Sequence, residues 1–144
     1  VTGVQTCALP ISHSASPLAV TAAIANLQVI EEEKLVERAA RLGAWFIPEL
    51  HRIQKKYPAV LGCCTGLGLV GGIQVVHPGT RTPNPDLATR INVACMHRGL
   101  LMFAPVGIGG ECVKISPPLS IEEDCLRESV AVFEAAVDEV CGRL

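Results

Sequence analysis

Apolar side chains follow one another almost without a break from residue 18 to residue 30. Only Thr21, Asn26 and Gln28 interrupt this run. Ser16 and Pro17 come just before it, and serine at the N-cap with proline at the first helical position is a typical helix start. The pattern predicts a helix that is apolar around its circumference. Such a helix is normally buried on all sides, and we expect this one to be buried against more protein than the fragment contains.

A second helix is predicted by a single apolar stripe in an otherwise charged segment. Its apolar residues recur at spacings of three and four, which bring them to one helical face: Leu35, Ala39, Leu42, Phe46, Leu50, Ile53 and Tyr57. Pro58 follows and ends the helix, because proline cannot donate the next backbone hydrogen bond.

A glycine-rich segment, GLGLVGGIQVV at residues 66–76, comes next. Its β-branched end, Ile73 to Val76, predicts a strand. The glycines do not follow the G-x-G-x-x-G spacing of a phosphate-binding loop, and they lead into a strand rather than a helix. We therefore interpret them as positions of close backbone approach or of a β-bulge.

The last part of the chain predicts two helices and two strands. Asn84 and Pro85 begin a helix that ends at Gly99, and residues 100–106 and 112–116 have the composition of strands. A capping box, Ser120 with Glu123, is predicted to begin the final helix, whose apolar face consists of Leu126, Val130, Phe133, Val137 and Val140. The predicted order is α-α-β-α-β-β-α, an α+β fold with an open sheet packed by helices.

Composition narrows the class of protein. The 144 residues are 49% hydrophobic and 18% charged with a net charge of −2, which is typical of a globular domain and not of a disordered chain. The sequence contains no basic block, so neither nucleic acid nor a membrane is an expected partner. The sequence has seven cysteines, six of them after residue 11, with no C-x-x-C pair, and four scattered histidines. This pattern predicts that the six are reduced, mostly buried thiols, that there is no metal site and that the location is cytoplasmic.

The first eleven residues, VTGVQTCALPI, do not fit this pattern. They carry no charge and have neither a helical nor a strand period, and they lack the basic region of a signal peptide. They resemble, residue for residue, the translation of a common short-read sequencing adapter. We expect residues 1–11 to be a non-native tail, with the natural sequence starting near Ser12, whose codon the adapter could have changed from threonine.

Two places could support binding chemistry, although no serine or cysteine has an evident base beside it. Residues 12–16 are small and polar at a helix N-terminus, which attracts anions. Lys114 is a single cation inside the apolar strand segment VKISPPL. It is either a solvated lysine on an outward-facing position, which the sequence alone favours, or a cation at a pocket rim that holds a carboxylate.

Three segments resemble the class III aminotransferases, fold-type-I enzymes that use pyridoxal 5'-phosphate. SHSASPLAVTAAIANLQVIEEEKLVERAARLG is similar to the family's T-x-x-G-N-P-L-A segment and the helix after it. GLGLVGGIQVV is similar to G-L-G-L-M-x-G-I-E-x-V, and RGLLMFAPVGIGGECVKISPPLSIEEDCL to R-G-L-L followed by V-I-R-x-x-P-P-L-x-I. The resemblance extends from Ser12 to the end of the chain.

The resemblance implies the C-terminal small domain of such an enzyme at residues 34–144, with residues 12–33 as a helix linking it to a large domain. It implies transfer of an amino group from an amine or ω-amino acid to a 2-oxo acid, in a homodimer. The lysine that binds the cofactor covalently lies upstream in the family, so no catalytic residue is expected in this fragment, which should be inactive alone. Ser12 matches the threonine that reaches the cofactor phosphate across the dimer, and Lys114 matches the arginine that holds a substrate carboxylate.

Three departures from the family pattern leave alternatives open. Lys114 lacks the planar fork with which arginine grips a carboxylate, so the substrate is in doubt. Thr65 stands where arginine often precedes the G-x-G, and Ser16 replaces the usual asparagine. An aminomutase or a decarboxylase of the same family, or a stand-alone α+β binding module without catalysis, are the alternative interpretations.

Overall fold

The computed structural model describes residues 16–143, which divide into two units after Val36. The first unit contains helix α1 (Pro17–Glu32), with Ser16 at the N-cap and proline in the first turn. This helix confirms the sequence prediction, although the Ser16 side chain makes no capping hydrogen bond. None of its residues is buried, and Leu18 is 82% exposed. The predicted tail at residues 1–11 and Ser12 lie outside the described residues.

The second unit contains a three-stranded antiparallel sheet in the order β1-β2-β3. Helix α2, which begins two residues before the division between the units, precedes the sheet in the chain. The elements are α2 (Leu35–Lys56), β1 (Leu61–Leu67), β2 (Val70–Val75), α3 (Pro85–His97), β3 (Cys112–Ile115) and α4 (Glu123–Cys141). The α+β class is confirmed, whereas the order is α-α-β-β-α-β-α and not the predicted one.

One face of the sheet is buried in the core. Ile73, Val75 and Val113 are buried, while Gln74 between them in β2 is exposed, as the two-residue period of a strand requires. The predicted stripe of α2 and the predicted face of α4 supply the opposite side of this core. Each large side chain buried there contributes about 1.5–3 kcal/mol relative to an exposed one.

Three local predictions were wrong. Strand β1 was not predicted, because LGCCTGL lacks an alternation of apolar and polar residues. Residues 100–106 form no strand, apart from a single bridge between Val106 and Cys112. Pro105 has no N–H for a ladder, and the Phe103 carbonyl instead accepts a hydrogen bond from Asn92 Nδ2 at 3.1 Å.

The predicted capping box is the third error. Helix α4 has Glu122 at its N-cap, without a side-chain capping bond, and not Ser120. The Ile121 N–H donates to the Pro118 carbonyl at 3.0 Å, which closes a turn across Ser120 and delays the helix. Asn84, in contrast, caps α3 as predicted, because its side-chain oxygen accepts from the Leu87 N–H at 3.1 Å.

The glycines of residues 66–72 have the predicted role of close approach. A Cβ atom on Gly66 would lie 2.5 Å from Ile47 Cδ1, and one on Gly71 would overlap Leu50 Cδ1. The approach is equally close at Gly43 of helix α2, where a Cβ atom would lie 2.5 Å from Gly68 Cα. Helix α2 therefore packs against the β1–β2 hairpin at a distance that side chains at these positions would prevent.

Ion pairs join α2 to α4 along their exposed edges. The Arg52 guanidinium donates to both carboxylate oxygens of Glu134, at 2.7 and 2.5 Å. Lys56 Nζ donates to Glu134 at 3.0 Å and to Asp138 at 2.7 Å, and Tyr57 donates to Asp138 at 3.0 Å. The Arg52 hydrogen bonds lower the pKa of Glu134 to about 2, with a smaller contribution from Lys56 and against the effect of burial.

Within residues 16–143, no helix combines the length and the hydropathy that crossing a bilayer requires.

Gly43→Ala should destabilise the second unit by about 1–3 kcal/mol, because the new methyl group would collide with the Gly68 backbone. Intrinsic helix propensity alone predicts the opposite sign, since alanine is favoured over glycine by about 1 kcal/mol inside a helix. Urea unfolding followed by circular dichroism measures the difference. Gly62→Ala is the control, because its Cβ would meet only ordinary contacts, at 3.5 Å or more. A stabilised Gly43→Ala variant would contradict the close approach.

Glu134→Gln should lower the free energy of unfolding by about 1 kcal/mol near pH 7. A carboxylate whose pKa is lowered on folding stabilises the protein above its ordinary pKa of 4.5, and this contribution disappears as the pH falls towards 2. The variant and the parent chain should therefore become equally stable near pH 2. Chemical unfolding over this pH range measures the difference, with Glu128→Gln on the exposed side of α4 as the control. A difference that is independent of pH would exclude the ion pair as its cause.

Candidate functional site

A cavity of about 460 Å³ lies inside the second unit. Its walls come from α2, α4, the end of β3 and the two irregular segments beside that strand, residues 100–103 and 116–118. The inner end is formed by fully buried side chains, among them Phe46, Leu50 and Phe133. The outer end is formed by Leu101 and Phe103, which are 81% and 62% exposed. The cavity therefore leads from solvent to the core of the unit.

Strand β3 places Lys114 at the edge of the sheet, beside the opening of the cavity. Strand β3 is at the edge of the sheet, and Lys114 pairs with Gly72 on β2. Val113 on one side of Lys114 is buried in the core, so that Lys114 belongs to the other face of the pleat. Its Nζ atom lies 5.5 Å from the centroid of the Phe103 ring, a distance at which a cation is attracted to an aromatic face. The ammonium group is thus at the outer end of the cavity.

The lining of the cavity is almost entirely apolar. Lys114 is the one charged residue among the described residues that line it. Ser116 and Ser129 also line it, and the Ser129 hydroxyl donates a hydrogen bond to the Cys125 carbonyl at 2.7 Å within α4. Sites of this size, with an apolar lining and few polar groups, are typical of small-molecule binding.

The structure describes only some of the candidate site residues that the sequence predicted. Lys114 lies half-buried at the wall of a cavity, while Ser12 and the anion-attracting segment at residues 12–16 fall outside the described residues except for Ser16. Sequence reasoning missed Phe103 and Met102, because it assigned them to a strand. The proline at position 105 was the available signal that this segment leaves the sheet.

The cysteines form neither disulfides nor a metal centre in the described residues. Cys64, Cys95 and Cys141 are buried and Cys112 is half-buried, whereas Cys63 and Cys125 are exposed, so that the prediction of mostly buried thiols is right for half of the six. Burial raises the pKa of the Cys95 and Cys141 thiols to about 11. No group of three or more potential ligands between residues 16 and 143 is arranged to hold a metal ion.

The family is decided by comparison with known proteins. A sequence profile described as Aminotransferase class-III matches residues 9–137, which is most of the chain. The chain belongs to this family. A 5-aminovalerate aminotransferase of Pseudomonas putida is 33% identical over 129 residues, which cover 90% of the chain and 30% of that enzyme.

Other relatives in the class III aminotransferase family have names that indicate a different reaction. An (R)-1-hydroxy-2-aminoethylphosphonate ammonia-lyase of Vibrio splendidus is 33% identical over 131 residues, which cover 90% of the chain and 26% of the lyase. Among solved structures, a transaminase with L-alanine superimposes with a TM-score of 0.77 at 27% identity, over 88% of the chain and 29% of that protein. The chain thus spans less than a third of the length of these relatives.

The described lysines do not fit a complete site for pyridoxal phosphate. Such a site needs a free amine together with groups for the ring nitrogen and the phosphate. Lys56 is held by hydrogen bonds to Asp138 and Glu134, which raise its pKa, so that its amine is not free. Lys114 faces an apolar cavity whose described lining residues include no carboxylate for the ring nitrogen. No catalytic step through the cofactor follows from these residues.

Alkylation by iodoacetamide near pH 8 should distinguish the cysteines by their burial. Cys63 and Cys125 are expected to react first, and Cys95 and Cys141 to be slower by about a hundredfold or more, because a thiol with a pKa of about 11 provides few thiolates. Peptide mass spectrometry after timed quenching measures the order. In guanidinium chloride the difference should vanish. Equal rates for Cys95 and Cys125 in the native chain would show that the core is not formed as described.

Proposed function

We propose that the second unit, with the chain from residue 34 to 144, is the small domain of a pyridoxal-phosphate-dependent aminotransferase. In this proposal the enzyme moves an amino group from an amine or ω-amino acid to a 2-oxo acid, and residues 12–33 link the small domain to a large one. Family membership supports the class of reaction. The observation that carries the assignment of a site is the position of Lys114, the single charge at the outer end of an apolar cavity.

Lys114 is proposed to bind the carboxylate of the amino donor. The Lys114 ammonium makes one charge-assisted contact, worth about 1.5–3 kcal/mol. The Phe103 ring beside it orients the ammonium and excludes water from one side of it. Lysine is a point charge and imposes no bidentate geometry, so the site tolerates carboxylates that approach from different directions.

The cofactor is proposed to be bound mainly by residues that are not in this chain, since the described lysines do not build its site. Ser12 is the residue of this chain that we assign to the cofactor phosphate, across the interface of a homodimer. These two assignments rest on the family resemblance alone.

A lyase is the second candidate. The ammonia-lyase of Vibrio splendidus is as similar to this chain as the 5-aminovalerate aminotransferase of Pseudomonas putida, at 33% identity each. Both candidates need the donor's amino group to reach the cofactor. They differ in the use of a 2-oxo acid, which only the aminotransferase consumes.

Lys114→Ala in the full-length protein should raise KM for a donor with a carboxylate, such as 5-aminovalerate, by about tenfold or more. A primary amine of the same chain length without the carboxylate should be unaffected, because it makes no contact with the ammonium. Lys114→Arg should keep or improve the use of 5-aminovalerate, since the guanidinium can donate two parallel bonds. Steady-state kinetics with a 2-oxo acid acceptor measures all three proteins.

Lys55→Ala is the matched control, because Lys55 is an exposed lysine in the last turn of α2 and does not line the cavity. If both donors respond alike to Lys114→Ala, the carboxylate role is wrong. If ammonia is released without consumption of a 2-oxo acid, the protein is a lyase and the proposed transfer reaction is wrong.

A further inference from the structure

A second groove of the same unit, between α3 and α4, is lined by basic side chains. It has a volume of about 460 Å³, and none of the described residues that line it lines the cavity beside Lys114. We infer that this groove binds the phosphate group of a small phosphate monoester, through Arg90 of α3 and Arg143 just beyond the end of α4. The site is separate from Lys114, so the inference does not depend on the proposed function.

Helical spacing brings the polar side chains of the groove together. Arg90 and His97 are seven residues apart, which is about two turns of α3, and both line the groove. On the other side, the Arg143 guanidinium donates to Glu139, four residues earlier, at 3.2 Å. Arg98 joins the two sides, because its guanidinium lies 2.5 Å from the other Glu139 oxygen. The groove is therefore a junction of two helices and not a set of independent surface groups.

The groove is positive, although the chain as a whole has a net charge of −2. Three arginines and one glutamate line it, which leaves an excess of two positive charges. The Arg98 hydrogen bond lowers the pKa of Glu139, so this carboxylate is ionised at neutral pH and is already included in the balance. A local excess of this kind attracts anions.

Arg90 is the arginine of the groove for which the fold gives no structural role. Arg98 and Arg143 lie at the C-terminal ends of helices, where a cation is favourable, and both contact Glu139. Arg98 also donates to the Ala94 carbonyl at 3.1 Å. Arg90, in contrast, lies inside α3 and makes no ion pair with any described residue. Its guanidinium is available to an anion, and the Arg143 side chain, which is 72% exposed, can turn towards the same anion.

Two guanidinium groups on different helices fit a phosphate group better than a carboxylate. Each guanidinium presents a planar fork of donors. A phosphate monoester has three terminal oxygens and a charge of about −1.5 to −2 at pH 7, so it can accept from both forks at once. A carboxylate has two oxygens and one charge, which a single fork occupies. Val93 and Ala94, one turn after Arg90, offer the organic part of the ester an apolar surface.

Phenyl phosphate is a probe for this site in the 144-residue chain. In ¹H–¹⁵N NMR spectra at pH 7.5 and low ionic strength, it should shift the amide signals of residues 89–98 and 139–143 in a saturable way. The signals of β1, on the far side of the sheet, should stay in place. No shift in α3 and α4, or equal shifts throughout the chain, would overturn the inference.

Arginine variants test whether the groove itself attracts the probe. Arg90→Gln should weaken phenyl phosphate binding by about fivefold or more, because it removes a charge-assisted fork. Arg81→Gln, which changes the net charge equally in an exposed loop outside the groove, should change binding less than twofold. Arg90→Lys keeps the charge without the fork and should lie between the parent chain and Arg90→Gln. Equal losses in Arg90→Gln and Arg81→Gln would show attraction by general charge and would contradict a site. Unchanged β1 signals show that each variant is folded.

Two further ligands test the assignment to phosphate. Benzoate keeps the ring but has a single charge, and it should bind about tenfold more weakly than phenyl phosphate. Inorganic phosphate should displace phenyl phosphate from the same amides. Equal affinity for benzoate, or failure of inorganic phosphate to compete, would show that the ring and not the phosphate is recognised, and the inference would be wrong. These measurements use neither Lys114 nor enzymatic activity, so their failure is separate from that of the kinetic test.

Discussion

The close approach of α2 to the β1–β2 hairpin is the constraint on which the second unit depends. A Cβ atom at Gly43 or at Gly71 would collide with its neighbour across the contact, so the short distance exists only because these positions have no side chain. At this distance Phe46 and Leu50 reach the sheet and are fully buried. The same side chains form the inner wall of the cavity, and the glycines therefore determine its depth.

The ion pairs of α4 hold in place the wall of the cavity that this helix forms. Glu134 and Asp138 hold α4 to Arg52 and Lys56 of α2 along the exposed edges of the two helices. Arg127 contributes from the outside, with its guanidinium 4.4 Å from the centroid of the Trp45 ring. These contacts are individually modest at such exposure, but they fix the separation of the helices between which the cavity opens.

The sequence predicted those elements whose residues repeat with a clear period. Helices α2 and α4 have apolar stripes at spacings of three and four, and their buried faces are those that the stripes predicted. Strand β1 has no such repeat, and its Gly66 is required by a contact with Ile47 of α2 that is remote in the chain. The segment at residues 100–106 has the composition of a strand, yet Pro105 and the hydrogen bond from Asn92 keep most of it out of the sheet. The cavity exists because residues 100–105 do not pair with β3. Pro105 was the local signal, whereas the hydrogen bond from Asn92 joins residues that no local pattern brings together.

Strand β3 is at the edge of the sheet that the described residues form, and none of these residues pairs with it at Lys114. The Val75 N–H donates to the Glu111 carbonyl, and in an antiparallel pair only every second residue of a strand bonds to the same neighbour. Lys114 is three positions after Glu111, so its backbone groups point away from β2. An open edge of this kind can recruit a strand from another molecule and start aggregation. A lysine on the edge, followed at once by Pro117 and Pro118, opposes such recruitment, because a second copy would bring its own ammonium group alongside and the prolines offer no N–H. The ammonium group at the outer end of the cavity is therefore also placed where it opposes edge-to-edge pairing of the sheet.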